Sequence, residues 1–322
     1  MGHTVGGILV HPEELTCSWI DRMSSAGLDL LGLHPRGGRA AAETLKTAIA
    51  EFDLPQTRAL REYARQKGIA VEYEAHSMGE LFPRDLFSSH PEYYRVNSAG
   101  DRTPDVNLCA SNADALAIVS DNAMRLAKRL YTGTHNYSFW IDDTKDGACH
   151  CADCSRLSPA DQALRVTNAI ADGIRRFDAD AVVYHLAYHE TVALPTKTEP
   201  ARGVRLEYAP INRDFHAPIN DMTNEKNVNE SAPVRDLISF FGKKNSKVLE
   251  YWMDNSLYSN WTKPPKKFTL DEAVMASDVE FYDSLGFEII TSFGCYLGPD
   301  YEELYGVPSL DAYGRILTGK II

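Results

Sequence analysis

No stretch of this 322-residue chain approaches the roughly 18 consecutive apolar residues of a membrane-crossing helix. Its opening, MGHTVGGILVHPEEL, lacks the basic and long apolar regions of a secretory signal. The expectation from these absences is a cytoplasmic protein without a membrane partner. Basic residues are the minority, 33 against 45 acidic ones, and the net charge of −12 argues against nucleic acid and anionic membrane surfaces as partners. The acidity is spread along the chain rather than gathered in a tail, as on a solvated surface. There is no internal repeat of fixed period and no low-complexity linker, so one domain over 1–322 is expected. A glycine-rich phosphate turn is also missing: the first apolar run leads into HPEEL, which argues against a doubly wound nucleotide-binding sheet.

What is present is an alternation of short apolar runs and helical patterns. Hydrophobic content of 44% with 24% charged residues supplies a sizeable core. The runs are Gly6–Val10, Leu28–Leu33, Ile69–Tyr73, Tyr137–Ile141, Ala181–Ala187, Val204–Tyr208, Lys247–Trp252 and Phe287–Phe293. Helical spacing marks Pro12–Ser25, Ala40–Phe52, Pro55–Lys67, Asn112–Tyr131, the segment capped by Ser158 through Phe177, Val234–Phe241, Thr269–Leu285 and a short helix from Ser309. Eight strand–helix alternations predict a single (β/α)₈ TIM barrel of α/β class. Two insertions stand out, a long loop at about 77–111 and a cysteine-rich loop at about 144–158.

In such a barrel the site lies at the carboxyl ends of the strands. Polar and aromatic residues gather there: His11, His34, Glu74, His76, Trp140, His185, Tyr188, His189, Glu190, Glu207, Tyr208, Glu250, Tyr251, Trp252 and Asp254, with Arg213 shortly after the sixth strand. Of these, His76, Trp140, His185, Tyr188, Tyr208, Arg213, Glu250, Trp252 and Asp254 are the expected substrate-binding set. Sugar rings stack their apolar CH faces on aromatic rings, and Tyr137, Tyr184, Tyr258 and Trp261 add to the aromatic content of strands four to seven. The natural partner for that lining is a carbohydrate.

The fourth strand delivers Asp142 and Asp143 into a loop. Cutting a glycosidic bond needs one acid to protonate the leaving oxygen and a second group to supply or stabilise a nucleophile. Adjacent strand residues point to opposite faces, so both aspartates reach one sugar only if the strand ends there. The bland alternative is one aspartate capping a turn and the other solvated.

Beyond the acids lies Cys149-His150-Cys151-Ala152-Asp153-Cys154. Three soft ligands in one loop suit a tetrahedral zinc site, with Cys109 or His150 as the fourth ligand. The expectation is a structural clip that shapes the loop beside the acids, with no cofactor needed for catalysis. A disulfide competes in an oxidising compartment, and Cys17 and Cys295 read as lone buried thiols.

Four motifs in order carry a family resemblance: HPEYYRVNSAGDRTPDVNLCASN (90–112), the acid pair with C-x-C-x-x-C, VVYHLAYHETVALP, and GVRLEYAPINRDFHAPIND. From about His90 to Pro265 the chain resembles the bacterial family called domain of unknown function 4838. That family includes glycoside hydrolase family 163, endo-β-N-acetylglucosaminidases acting on N-glycans, whose members usually carry a further amino-terminal domain. The resemblance implies a barrel and a retaining, substrate-assisted reaction in which the substrate's acetamido oxygen is the nucleophile. The acid pair is also similar to that of O-GlcNAcase-type hexosaminidases. Carried over, Asp142 would polarise the acetamide and Asp143 would be the acid/base, with Glu190 of the YHET motif as the reserve acid. The family more often has Asn-Asp at this strand end, and a further acid near strand eight where this chain has Thr291-Ser292-Phe293.

Two other readings compete. One is a divalent-metal-dependent sugar isomerase or hydrolase built on Glu74, His76, Glu190, His189, Glu207 and Asp254. The other is a carbohydrate-binding barrel without chemistry.

Overall fold

The computed structural model describes residues 4–319. Eight parallel strands close into a barrel in sequential order: β1 (Val5–Val10), β2 (Leu30–Leu33), β3 (Ala70–His76), β4 (Asn136–Trp140), β5 (Val182–Ala187), β6 (Val204–Tyr208), β7 (Lys247–Glu250) and β8 (Ile289–Phe293). The fold is the expected (β/α)₈ barrel. The chain also resolves into two compact units, one reaching His34 and continuing through Asp53–Glu72 and from Glu207 onward, the other comprising Pro35–Phe52 and Tyr73–Leu206. None of the described helices is long and apolar enough to cross a membrane.

Helix starts follow local chemistry. Asn112 accepts from the Ala115 amide at 2.9 Å to open Ala113–Arg129. Ser158 and Asp161 form a reciprocal capping box at the head of Pro159–Arg175. These two helices pack against each other so closely that a Cβ on Gly173 would lie 1.8 Å from the Ser120 carbonyl oxygen. Only glycine fits there, and larger residues would push the pair apart.

One expected helix differs, and so does the expected number of alternations. Pro12–Ser25 is a short turn at Pro12–Glu14 and then a helix at Cys17–Ser25. Thr16 breaks them: its backbone is extended, and its side chain caps the second helix by accepting from the Trp19 amide at 3.2 Å. The other difference removes one of the eight alternations, because between β5 and β6 the only helical element is the single turn His189–Thr191. Pro195 and Pro200 interrupt that segment. The buried Asp161 carboxylate gathers the amides of Thr196, Lys197 and Thr198 at 2.7–3.0 Å instead.

Strand parity decides which side chains face the barrel interior. In the second unit, Tyr73 packs on Phe52 beside the helix Ala41–Glu51, with ring centroids 5.6 Å apart, so Glu74 and His76 take the opposite face of β3. Register pairs Glu74 with Ser138 and His76 with Trp140, so Ser138 and Trp140 share that inner face. In the first unit, Tyr208 and Glu250 turn to Tyr282 on the helix Glu272–Leu285. Glu207 and Lys247 are register partners on the inner face and form a fully buried ion pair at 3.0 Å.

Candidate active site

The carboxyl ends of β3, β4 and β5 lie within one unit and bring His76, Asp142, Asp143 and Tyr188 together. β4 ends at Trp140, earlier than the expected Ile141, because its continuation finds partners outside the sheet. The Ile141 carbonyl accepts from His76 Nδ1 at 2.6 Å, and the Asp142 amide donates to Asn107 Oδ1 at 2.9 Å. A carbonyl can only accept, so the His76 tautomer carries its proton on Nδ1. Its ring stands edge-on to the buried Trp140, centroids 5.2 Å apart, and 6.3 Å from Tyr188. Trp140 is thus a wall behind His76 rather than an open stacking surface.

The two aspartates diverge at once. Asp142 is strapped: its Oδ2 accepts from Arg84 Nη2 at 2.7 Å and from the Asn107 amide at 2.6 Å. Arg84 also donates to the Asn107 carbonyl at 2.6 Å. Asn107 adopts a left-handed conformation with φ of 46° and is buried, so the strap holds a strained backbone in place. Neither donor uses Asp142 Oδ1. Asp143, half-buried, accepts from Tyr188 Oη at 3.1 Å. Gly37 backs onto it, since a Cβ there would lie 3.0 Å from Asp143 Oδ2 and 3.4 Å from His76 Cδ2.

Glu190, the reserve acid, points elsewhere. Its Oε1 accepts from the Gly147 amide at 2.9 Å and its Oε2 from the Asp146 amide at 3.2 Å. Both oxygens thereby clasp the loop that follows the aspartates. His189, in a left-handed conformation, lies against Tyr188 with centroids 3.9 Å apart.

Several expected substrate residues are structural. His185 faces the helix Pro159–Arg175, its Nδ1 3.3 Å from Thr167 Oγ1, and burial pushes it down to about 4, so it stays neutral. In the other unit, Tyr208 is fully buried and donates to the Glu230 carbonyl at 2.9 Å. Arg213, Glu250 and Trp252 share a closed network: Arg213 meets Glu250 at 2.5 Å and Asp278 at 2.7 Å, Tyr282 donates to Glu250, and Trp252 Nε1 donates to Asp278. Burial pushes the Glu250 carboxyl up to about 7 against the attraction of Arg213. Asp254 caps Asn255–Tyr258, accepting from the Ser256 and Leu257 amides, and burial raises it to about 6. His185, Tyr208 and Glu250 lie on strands and Arg213, Trp252 and Asp254 on the segments after them, but their side chains sit on the helix-facing side or cap a turn. Of the aromatic set, Trp261 is the exposed one, 64% accessible and held at φ of 53°.

The expected metal sets part in the same way. Among the described residues, Glu74, His76, His189, Glu190, Glu207 and Asp254 form no cluster with ligand geometry, whereas Cys109, Cys149, Cys151 and Cys154 do. Their sulfurs all lie within 4.8 Å of one another, with Cys109 Sγ 3.6 Å from Cys151 and 3.7 Å from Cys154. None is in a disulfide. Hydrogen bonds from Cys109 and Cys154 hold the Cys149 thiol far below its ordinary range, while Cys109 rises to about 11 through the same contact with Cys149. His150, the other proposed fourth ligand, turns out to Asp146 at 3.4 Å on the surface. Cys17 is exposed at the first turn of its helix rather than buried, whereas Cys295 is buried as expected.

Residues that the sequence reading passed over are Gly37, Arg84 and Asn107. Asn107 lies inside the quoted motif DVNLC, two residues before Cys109, so its position carried a signal that its chemistry did not. Arg84 and Gly37 are far from Asp142 and Asp143 in sequence, and only folding joins them.

Solved structures share this fold at low identity. A β-galactosidase from the psychrophilic Marinomonas ef1 matches with a TM-score of 0.52 and 12% identity, over 89% of this chain and 53% of its own. A β-galactosidase from Rahnella sp. R3 matches with a TM-score of 0.52 and 13% identity, over 91% and 50%. A glycoside hydrolase family 5 enzyme from Prevotella bryantii B14 matches with a TM-score of 0.52 and 10% identity, over 95% and 86%. The chain spans about half the length of the two β-galactosidases. No curated protein matches it. Residues 45–241, more than half of the chain, match the model of the family described as a domain of unknown function (DUF4838), and the chain belongs to that family.

Proposed function

We propose that the protein is a glycoside hydrolase acting on N-acetylhexosamine-containing glycans by a retaining, substrate-assisted reaction. The observation that carries this reading is the division of labour between adjacent carboxylates at the end of β4. Asp142 is an oriented acceptor, with Oδ2 tied to Arg84 and Asn107. Its Oδ1 is the atom suited to accept from a substrate acetamide N–H. Asp143 sits beside Tyr188 and His76, in contact with one hydroxyl donor rather than a cation, as suits a group that exchanges a proton. Glu190, committed to two loop amides, is the weaker choice for the acid.

In the reaction, the acetamido oxygen attacks the anomeric carbon while the glycosidic bond breaks. The leaving oxygen takes the Asp143 proton. Asp142 holds the acetamide N–H and stabilises the positive charge that spreads over the resulting oxazolinium ring. Water then gives a proton to Asp143 and attacks the same carbon, opening the ring with the original anomeric configuration.

The test is turnover of aryl β-hexosaminides with and without the 2-acetamido group, together with an N-glycan, by wild type and Asp143→Asn. Turnover of acetamido substrates alone, reduced by ~10²–10⁴ in the variant, is the expected outcome. Equal turnover of substrates lacking the acetamide would overturn substrate assistance. Sugar binding without turnover would leave a carbohydrate-binding barrel in its place.

A further inference from the structure

We infer that Cys109, Cys149, Cys151 and Cys154 bind one zinc ion, which locks the loop that holds Asp142 to the loop that follows the acid pair. Zinc coordinates four thiolates tetrahedrally at about 2.3 Å, so the sulfurs of a filled site stand about 3.8 Å apart along each tetrahedron edge. The Cys109–Cys151 and Cys109–Cys154 separations, 3.6 and 3.7 Å, match that edge. Two disulfides would instead draw the sulfurs together pairwise to about 2 Å, and nothing would require all four to converge on one point. Here all four lie within 4.8 Å of one another.

The surroundings suit thiolates. The Val96 amide donates to Cys149 Sγ at 3.3 Å and the Cys154 amide to Cys151 Sγ at 3.5 Å. Such N–H···S bonds orient ligands and spread their charge. Beneath the cluster, the buried Gln162 accepts from the Cys149 amide at 2.8 Å and donates to the Cys149 and Cys154 carbonyls at 3.1 and 3.2 Å. Cys109, Cys149 and Cys154 are 5% exposed or less. Four thiolates in a buried site leave no open coordination position, so the ion is structural.

Its place in the chain gives it a consequence. Cys109 follows Asn107, whose amide and side chain hold Asp142, by two residues. Cys149 follows Gly147, whose amide is held by Glu190, by two residues. The ion therefore fastens the segment before it and the segment after the acid pair to one point. Binding itself is independent of the glycosidase reading; only the effect on Asp142 rests on it.

The experiment is metal analysis of the full chain purified without chelator under reducing conditions, followed by replacement with Co²⁺. About one zinc per chain is expected, and the cobalt form should show thiolate-to-cobalt charge transfer with the intense visible bands of a tetrahedral site. Cys151→Ser, at the least buried ligand, should lose the charge-transfer intensity in part and release zinc to a chelator faster than wild type. Reduced wild type that contains no zinc and takes none up on titration would overturn the proposal. So would a cobalt spectrum without sulfur charge transfer. Because both readouts are made on wild type, a variant that fails to fold does not decide the matter. Loss of turnover by Asp143→Asn with zinc retained would separate the fate of the site from that of the proposed reaction.

Discussion

Asparagine at position 142 separates the strap from the chemistry. Asp142 Oδ2 accepts two N–H donors, one of them a guanidinium. Hydrogen bonds to charged groups contribute about 1.5–3 kcal/mol and neutral ones about 0.5–1.5, so losing the charge costs ~1 kcal/mol per bond. Arg84 and Asp142 are 28% and 18% exposed, and water recovers part of this. The expected loss is therefore ~1–2 kcal/mol, read as a lower urea midpoint at unchanged slope. Asp143→Asn keeps an acceptor for Tyr188, so its stability should move by less than ~1 kcal/mol. Turnover should order the two differently. Asp143→Asn loses the proton donor, and Asp142→Asn loses the charge facing the acetamide, ~10²–10³ in rate. An Asp142→Asn enzyme with wild-type turnover and lowered stability would refute the polarising role and leave a strap alone. An Asp143→Asn variant as destabilised as Asp142→Asn would refute the division between them.

Two further outcomes follow from the first unit. Lys247→Met leaves the Glu207 carboxylate buried without its ammonium, and should destabilise the protein by ~3–5 kcal/mol in chemical denaturation. Glu207→Leu combined with Lys247→Met should recover most of that loss; a single variant as stable as wild type would show that the pair is not buried as described. Glu14 is raised from 4.5 to about 7 by burial, while both its oxygens accept from the Tyr296 amide at 3.0 Å. A raised carboxyl favours the folded state while protonated, so its contribution is full below about pH 4.5 and is lost as pH rises through about 7. Relative to Glu14→Gln, wild type should lose ~2–3 kcal/mol across that window. Parallel stability curves for the two proteins would refute the shift.

Much of this molecule was legible from residue order. Apolar runs set off by helical patterns marked all eight strands, Ser158 and Asn112 announced their helices, and the acids after β4 and the C-x-C-x-x-C loop stood out by composition. These features are local, decided by neighbours within a few residues. Parity was not legible. A parallel barrel strand is apolar on both faces, so nothing in AVVYHLA or KVLEYW says that His185 and Glu250 turn to the helices while Tyr188 turns to the site. Nor does local sequence reveal partners brought from afar: Arg84 and Asn107 to Asp142, Gly37 to Asp143, or Cys109 to a loop about 40 residues on. Residue order determined the barrel and the strand ends at which the candidate site gathers. Tertiary structure decided which carboxylate is strapped, which is left beside a tyrosine, and which cysteine completes the cluster, because those choices depend on distances between segments that are remote along the chain.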